Sequence, residues 1–263
     1  MLLDEKEIRR NLARGEALRF KLFDTIPSTN AFVKDLADKG ESEGLVALAD
    51  TQTGGRGRMG RSFASPNGSG IYMSLLLRPS EPACTGVLIT ACAAVAVSEA
   101  IENVTGIKVG IKWVNDLYYR GKKVCGILAE GAISKTGGAF EYAVLGIGLN
   151  LTDCFTGTEL EHIAGGLYTS LPKSELNALR HRLIAAIIDR FYDYYRSGMP
   201  KATLLEKYRM RMFIIGKKVD VISYSGEKEA TVIGLNGDFT LLVRYADGSE
   251  QALNSGEVRL KLQ

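Results

Sequence analysis

Ten residues, Gly54 to Phe63, read GGRGRMGRSF and combine four glycines with three arginines. Glycine lets a backbone come close to a ligand and take up positive φ. Successive backbone N–H groups in such a loop form a concave nest for anions, and guanidinium groups add forked donors for phosphate or carboxylate. Between Thr51 and Ser80 there are four arginines (56, 58, 61 and 78) and no acidic residue. The chemistry this suggests is capture of an anion. A solvated basic loop fits the same composition when the segment is taken alone.

Gly55, Gly57 and Gly60 reproduce the spacing G-x-G-x-x-G, yet the flanks exclude its usual readings. A dinucleotide fingerprint opens a helix and is followed about 20 residues later by an acidic ribose contact. Here RSFASPNGSG follows, a poor helix start, and the next aspartate after Asp50 is Asp116. A kinase loop needs H-R-D and D-F-G downstream; neither occurs, nor does a Walker A sequence or G-x-S-x-G. An RNA-binding arginine–glycine tract is normally repeated, and this one occurs once.

Two further stretches carry chemistry. KWVNDLYYRGKKVCGILAE (112–130) offers Lys112, Asn115, Asp116, Lys122 and Lys123 around a predicted hairpin, with Gly126 leaving room above the sheet. A lysine-rich turn is its plain alternative. GIGLN (146–150) puts glycines inside a strand, a mark of close approach by a ligand or another backbone, and Asn150 at its end.

The elements that must hold these residues follow from periodicity. Leu3–Leu12 reads as a short helix stopped by Gly15, and 18–26 as a strand. Ser28 or Thr29 caps a helix that ends at Gly40. Strands are expected over 44–50 and 70–79, on either side of the basic loop. An apolar helix over 83–103 and strands over 107–113, 122–133 and 140–151 come next, the last three as antiparallel hairpins. Leu176, Leu179, Leu183, Ile187, Phe191 and Tyr194 recur at three- and four-residue steps in a helix over 174–198, and a shorter helix spans about 200–211. From Phe213 the texture changes to short alternating strands with turns at Ser225-Gly226, Asn236-Gly237, Asp247-Gly248 and Ser255-Gly256. The division expected is 1–212 and 213–263.

Composition bounds the rest. The 263 residues are 46% hydrophobic and 24% charged, with 33 basic against 30 acidic side chains and a net charge of +3. That balance suits a soluble globular chain and argues against nucleic acid or membrane as the main partner. Four scattered cysteines lack a C-x-x-C pair, and Cys84 and Cys92 lie too far apart along one helix to bridge, so reduced thiols and a cytoplasmic setting are expected. The uncharged run Pro82–Ser98 falls short of the ~20 residues of a membrane span. His162 and His181 have no ligand-like neighbours, and no metal ligands can be assigned.

STN (28–30), QTGGRGRMGRSF (52–63), KWVND (112–116), KKVCGIL, GIGLN and NSGEV (254–258) together resemble, in this order, biotin–protein ligases. The resemblance runs from about residue 20 to the end. It implies an α+β fold: a mixed, mainly antiparallel sheet with packing helices, like class II synthetases, and a small SH3-like barrel at the C-terminus. Only about twenty residues precede the first strand, so the family's DNA-binding winged-helix domain is not expected here, and a ligase without repressor function is. The implied reaction joins biotin to ATP as biotinyl-5′-adenylate, with magnesium on the phosphates, and passes biotin to a lysine of a biotin carboxyl carrier protein or domain. A monomer or homodimer is expected.

By the same resemblance, Ser28, Thr29, Asn30 and Gln52 match the biotin head-group positions. Gly55, Arg56, Gly57 and Arg58 match the loop that closes on biotin and phosphate. Lys123, beside Gly126, matches the lysine at the carboxylate and α-phosphate. Arg58, Arg61, Phe63, Lys112, Asn115 and Asn150 match the ATP side. The catalytic assignment is Lys123 with Arg58, and Asp116 to orient or deprotonate the carrier lysine. Phe63 replaces the family's usual tryptophan and Val114 its usual proline, from which weaker nucleotide ordering is expected. Lipoate–protein ligases and octanoyltransferases share the implied fold, but their R-R-x-S-G-G-G type of loop is missing. A non-catalytic binding protein would need a basic stripe beyond the loop.

Overall fold

In a computed structural model, residues 2–13, 17–79, 86–133, 140–198, 200–223, 226–254 and 257–260 are described. The chain runs α1 (Glu5–Asn11), β1 (Arg19–Ile26), α2 (Thr29–Asp38), β2 (Leu45–Gln52), a 3₁₀ turn (Arg58–Gly60) and β3 (Gly70–Leu77). It continues through α3 (Gly86–Thr105), β4 (Gly110–Lys112), β5 (Asp116–Tyr119), β6 (Lys122–Ile133), β7 (Phe140–Asn150), α4 (Lys173–Arg196) and α5 (Lys201–Arg211). Strands β8 (Lys218–Ser223), β9 (Gly226–Leu235), β10 (Leu241–Tyr245), β11 (Glu250–Leu253) and β12 (Glu257–Leu260) complete it.

The first seven strands form one sheet in the order β1-β2-β3-β7-β6-β5-β4. Only β1 and β2 pair in parallel; all other neighbours are antiparallel. Alternation along the strands divides the sheet's two faces. Val46, Leu48, Met73, Leu75, Leu145 and Ile127 pack with α3 and α4, whereas Leu45, Ala47, Leu76 and Val144 pack with Val33 and Ala37 of α2. The sheet is thus a middle layer, and α2 covers the face on which the loop lies.

The last five strands form a second antiparallel sheet, ordered β11-β10-β9-β8-β12. The first hydrophobic cluster continues into it through Met212, Ile214, Val219 and Phe239, so the small sheet is seated on the larger unit. Trp113 fixes this seat: its indole N–H donates to the Phe239 carbonyl at 2.8 Å, and the Tyr208 and Phe239 rings meet edge to face.

Several sequence expectations need correction. The strand expected over 107–113 shrinks to Gly110–Lys112. A Cβ at Gly110 would lie 2.7 Å from the Phe213 ring, and the chain turns at Trp113 into a separate strand, β5. The first helix is shorter than Leu3–Leu12, because Asp4 caps it through its own carboxylate. β11 was not anticipated, and Gly226 belongs to a strand. Gly15, Pro82, Cys84, Ser225, Ser255 and Gly256 lie outside the described residues. The apolar helix is Gly86–Thr105; by length and hydropathy it could cross a membrane, but 72% of its most apolar window is buried in the protein.

Two buried charged groups hold the helices, one to the sheet and one to each other. Arg180 on α4 is fully buried, 2.7 Å from the Asp50 carboxylate and donating to the Gly70 carbonyl. Burial pushes Glu99 on α3 up, but hydrogen bonds from Lys207 and Tyr194 and the charges of Lys207 and Arg211 outweigh it and hold the carboxyl below the usual value. Buried His181 accepts from the Asp4 backbone N–H, a structural role.

Candidate active site

Helix α2 starts at the pocket. Ser28 caps it by accepting from the Ala31 N–H, which leaves Thr29 and Asn30 in the first turn and facing β2 and β3. The positive end of the helix therefore borders the cavity. All three side chains are buried. Thr29 donates from its backbone and from its hydroxyl to Gln52 Oε1, at 2.9 and 3.1 Å. Gln52 Nε2 donates to Ser65 Oγ, which donates to the Phe63 carbonyl.

The basic loop folds back on itself over this end of the sheet. The Gly57 N–H donates to the Arg61 carbonyl and the Phe63 N–H to the Gly55 carbonyl. Met59, at the tip, has positive φ and is exposed. Arg58 donates to Asn115 Oδ1 at 3.2 Å; Asn115 in turn is clamped to Ile127 by a pair of hydrogen bonds, each 2.9 Å. The loop and the KWVND turn are therefore joined by side chains.

Lys123 sits at the start of β6, its ammonium 2.7 Å from Asp116 Oδ1 and 5.9 Å from the centre of the Phe63 ring. The ring itself lies on two glycines that face each other across β6 and β7. A Cβ at Gly148 would come within 2.4 Å of it and one at Gly126 within 3.0 Å. Gly146, one pleat along, leaves room for Asn30, whose Oδ1 would be 2.2 Å from a Cβ there. The glycines of GIGLN thus admit the protein's own side chains.

Two cavities meet across Phe63. The inner one is lined by Ser28, Thr29, Asn30, Gln52, Arg56, Gly126 and the apolar Ile127, Leu128 and Ile147. The outer one is lined by Met59, Arg61, Ser62, Lys112, Trp113, Asp116 and, from β12, Val258. Gly57, Arg58, Phe63, Asn115 and Lys123 line both. The inner cavity has the shape of a small-molecule site, apolar walls with a few polar groups. The outer one gathers Arg58, Arg61, Lys112 and Lys123 against a single carboxylate, a field suited to phosphates. Beyond it a hollow bordered by His162 and Arg259 continues the basic surface.

Two of the site residues expected from sequence line neither cavity. Gly55 is a packing glycine: a Cβ there would lie 2.3 Å from the Phe63 carbonyl. Asn150 is buried and donates to the Gly165 carbonyl. Arg78, counted with the basic loop in sequence, sits at the far end of β3 and donates to the carbonyls of Ala37, Glu41 and Glu141. Sequence reasoning missed Glu130, which pairs with Arg56 at 3.3 Å and accepts from Asn30 at 3.0 Å, and Ser74, which lies under Thr29 and Asn30. The alternation of β6 puts Glu130 on the face of Gly126, the one signal that could have found it.

Residues 22–150 match the model of a family described as biotin/lipoate A/B protein ligase. The chain is 34% identical to the bifunctional ligase/repressor BirA of Bacillus spizizenii over 266 residues, 98% of this chain and 79% of that protein. It is 29% identical to the biotin–[acetyl-CoA-carboxylase] ligase of Mycobacterium tuberculosis, covering 90% of this chain and 86% of that one. Among solved structures, the biotin protein ligase of Aquifex aeolicus in complex with biotin and ATP superimposes with a TM-score of 0.73 at 26% identity, over 93% of this chain and 99% of that one.

Proposed function

We infer the reaction from one premise: the chain belongs to the biotin/lipoate A/B protein ligase family. Within that family it is an ATP-dependent biotin–protein ligase. A biotin carboxylate oxygen attacks the α-phosphorus of ATP, pyrophosphate leaves, and biotinyl-5′-adenylate forms. The neutral amine of a lysine then attacks the acyl carbon, an amide forms, and AMP leaves. The protein that receives biotin is a carrier of a biotin-dependent carboxylase, the class for which relatives are named.

The observation that carries this assignment onto the chain is the pair of cavities sharing Arg58, Asn115 and Lys123. In this reading biotin's ring fills the inner cavity against Thr29, Asn30 and Gln52, and the nucleotide fills the outer one. The carboxylate and α-phosphate meet at the shared wall. Both are anions, so the step needs fixed positive charge where they approach. Lys123 and Arg58 supply it, and Arg61 and Lys112 face the remaining phosphates. Glycine-rich residues 54–63 cover the adenylate and keep water from it. Asp116, ion-paired to Lys123, is placed to orient or deprotonate the carrier lysine.

Magnesium travels with ATP and keeps phosphate oxygens and waters as its main ligands. Asp116 is the one carboxylate among the described residues lining the outer cavity and is paired with Lys123 at 2.7 Å, so the ion would be held chiefly by the phosphates. The ion would neutralise phosphate charge.

The test is biotin-dependent exchange of pyrophosphate into ATP, with lipoate and octanoate as parallel acids and Lys123→Ala as control. Exchange with biotin alone, lost in the variant, is expected. Exchange with lipoate or octanoate instead would move the chain to the sister activity.

A further inference from the structure

The groups on the floor of the inner cavity bond to one another, and Glu130 stands at one end of their chain. Glu130 Oε2 accepts from Asn30 Nδ2 at 3.0 Å. Asn30 Oδ1 lies 2.6 Å from Ser74 Oγ, which lies 2.7 Å from Thr29 Oγ1. Thr29 reaches Gln52, Gln52 reaches Ser65, and Ser65 ends on the Phe63 carbonyl. Through its other oxygen Glu130 holds Arg56 at 3.3 Å. Both halves of the basic loop are therefore attached to one polar chain, Arg56 at its head and Phe63 at its tail.

A carboxylate only accepts, so Asn30 must turn its amide nitrogen toward Glu130 and its oxygen toward Ser74. The Ser74 proton is then drawn to Asn30 Oδ1, with Thr29 Oγ1 beside it, and the Thr29 proton goes to Gln52 Oε1. The charge on Glu130 in this way decides which atoms of Asn30, Ser74 and Thr29 present donors and which acceptors to the cavity. A neutral amide at 130 would let Asn30 adopt either orientation and would release Arg56.

We propose that Glu130 is a positioning residue for the biotin head group, fixing the donor–acceptor order of the cavity floor and holding Arg56 over it. This rests on the ligase reading given above. Glu130 is not among the cavity-lining residues and acts through Asn30 and Arg56. Its effect belongs to biotin and not to ATP.

The experiment compares the wild-type protein with Glu130→Gln, Arg56→Ala and the double variant. Biotin Kd is measured by calorimetry, and KM for ATP in the exchange assay at saturating biotin, with thermal melts to verify folding. One half-exposed ion pair and one hydrogen bond to a charged group correspond to a rise in biotin Kd of about fivefold to thirtyfold for Glu130→Gln. KM for ATP should stay within about twofold, since the direct partners of Glu130, Asn30 and Arg56, line the inner cavity and not the outer one, and the double variant should fall short of the product of the single effects because the residues share one contact. An unchanged biotin Kd in Glu130→Gln, or an equal rise in KM for ATP, overturns the proposal while wild-type exchange still supports the ligase. Wild-type protein that neither binds biotin nor exchanges removes the ligase reading and this inference with it.

Discussion

Replacing Gly148 by alanine should obstruct the site by driving a methyl group into the Phe63 ring. An ideal Cβ at Gly148 lies 2.4 Å from Phe63 Cε1, 2.7 Å from Cζ and 2.9 Å from Cδ1, whereas ordinary contact begins at 3.4 Å. The ring must retreat by about 1 Å, and its backbone is tied down by the hydrogen bond from Phe63 N to Gly55 O. Overpacking of this kind costs about 1–3 kcal/mol, which is roughly five- to 150-fold in an equilibrium constant. The ring is only half-buried and can yield outward, so a rise of about tenfold in KM for ATP, near the lower end of that range, is expected. Gly126→Ala should do less, because its nearest atoms are 3.0 Å away on the other edge of the ring and 3.2 Å away on the flexible end of Lys123. The assay is the exchange reaction with ATP varied at saturating biotin. Phe63→Ala in the Gly148→Ala background separates two causes. Recovery means that the ring was the obstruction; persistence means that the nucleotide itself needs the glycine surface. A Gly148→Ala protein with unchanged KM for both substrates would refute the reasoning.

Lys123→Ala should lower exchange by about 10²–10³-fold, the usual cost of losing one preorganised group at a developing charge; a loss under tenfold in folded protein would remove Lys123 from that role. Asp116→Asn should slow carrier biotinylation from preformed adenylate far more than exchange, and equal losses in both steps would discard its assignment to the carrier lysine. Arg180→Met should lower unfolding free energy by about 3–5 kcal/mol, because it leaves the Asp50 carboxylate buried without its charge partner; denaturant titration reads this directly. His181 is held below the ordinary imidazole value of 6.5 by burial and by Arg180 beside it. The unfolded chain therefore takes up a proton first, so stability falls as pH drops below 6.5. His181→Gln should flatten that part of the melting-temperature profile, and an unchanged slope would rule this group out as its source.

The elements with one dominant pattern were legible. β2 and β3 are apolar on both faces because helices cover both, and α4 shows its stripe at helical spacing. The basic loop was legible as chemistry because glycine and arginine have few other reasons to alternate. What sequence could not supply was the second partner in each contact. Glu130 meets Asn30 from 100 positions away, and although Gly126 marks the face of β6 that it shares, nothing local to the strand names Asn30 as its partner. The same gap explains Arg78: it is near the loop in sequence, but an eight-residue strand carries it to the opposite end of the sheet. Gly55 and Asn150 fell inside recognisable motifs, yet their positions are set by packing against the Phe63 carbonyl and by the Gly165 carbonyl. The shortened β4 depends on Phe213, a contact that no periodicity encodes.

Trp113 is the chain's single tryptophan, and it is 4% exposed. One face of its surroundings belongs to the outer cavity, and its N–H is committed to Phe239 in the turn between β9 and β10. An intrinsic fluorophore therefore stands between the outer cavity, the proposed nucleotide site, and the small C-terminal unit. Its emission arises from a single site, in a dry and hydrogen-bonded environment. A change on adding nucleotide reports the cavity, and a shift to longer wavelength in mild denaturant reports water reaching the indole as the small sheet lifts away. Occupancy and domain seating can then be followed in unlabelled protein, each by its own spectral signature.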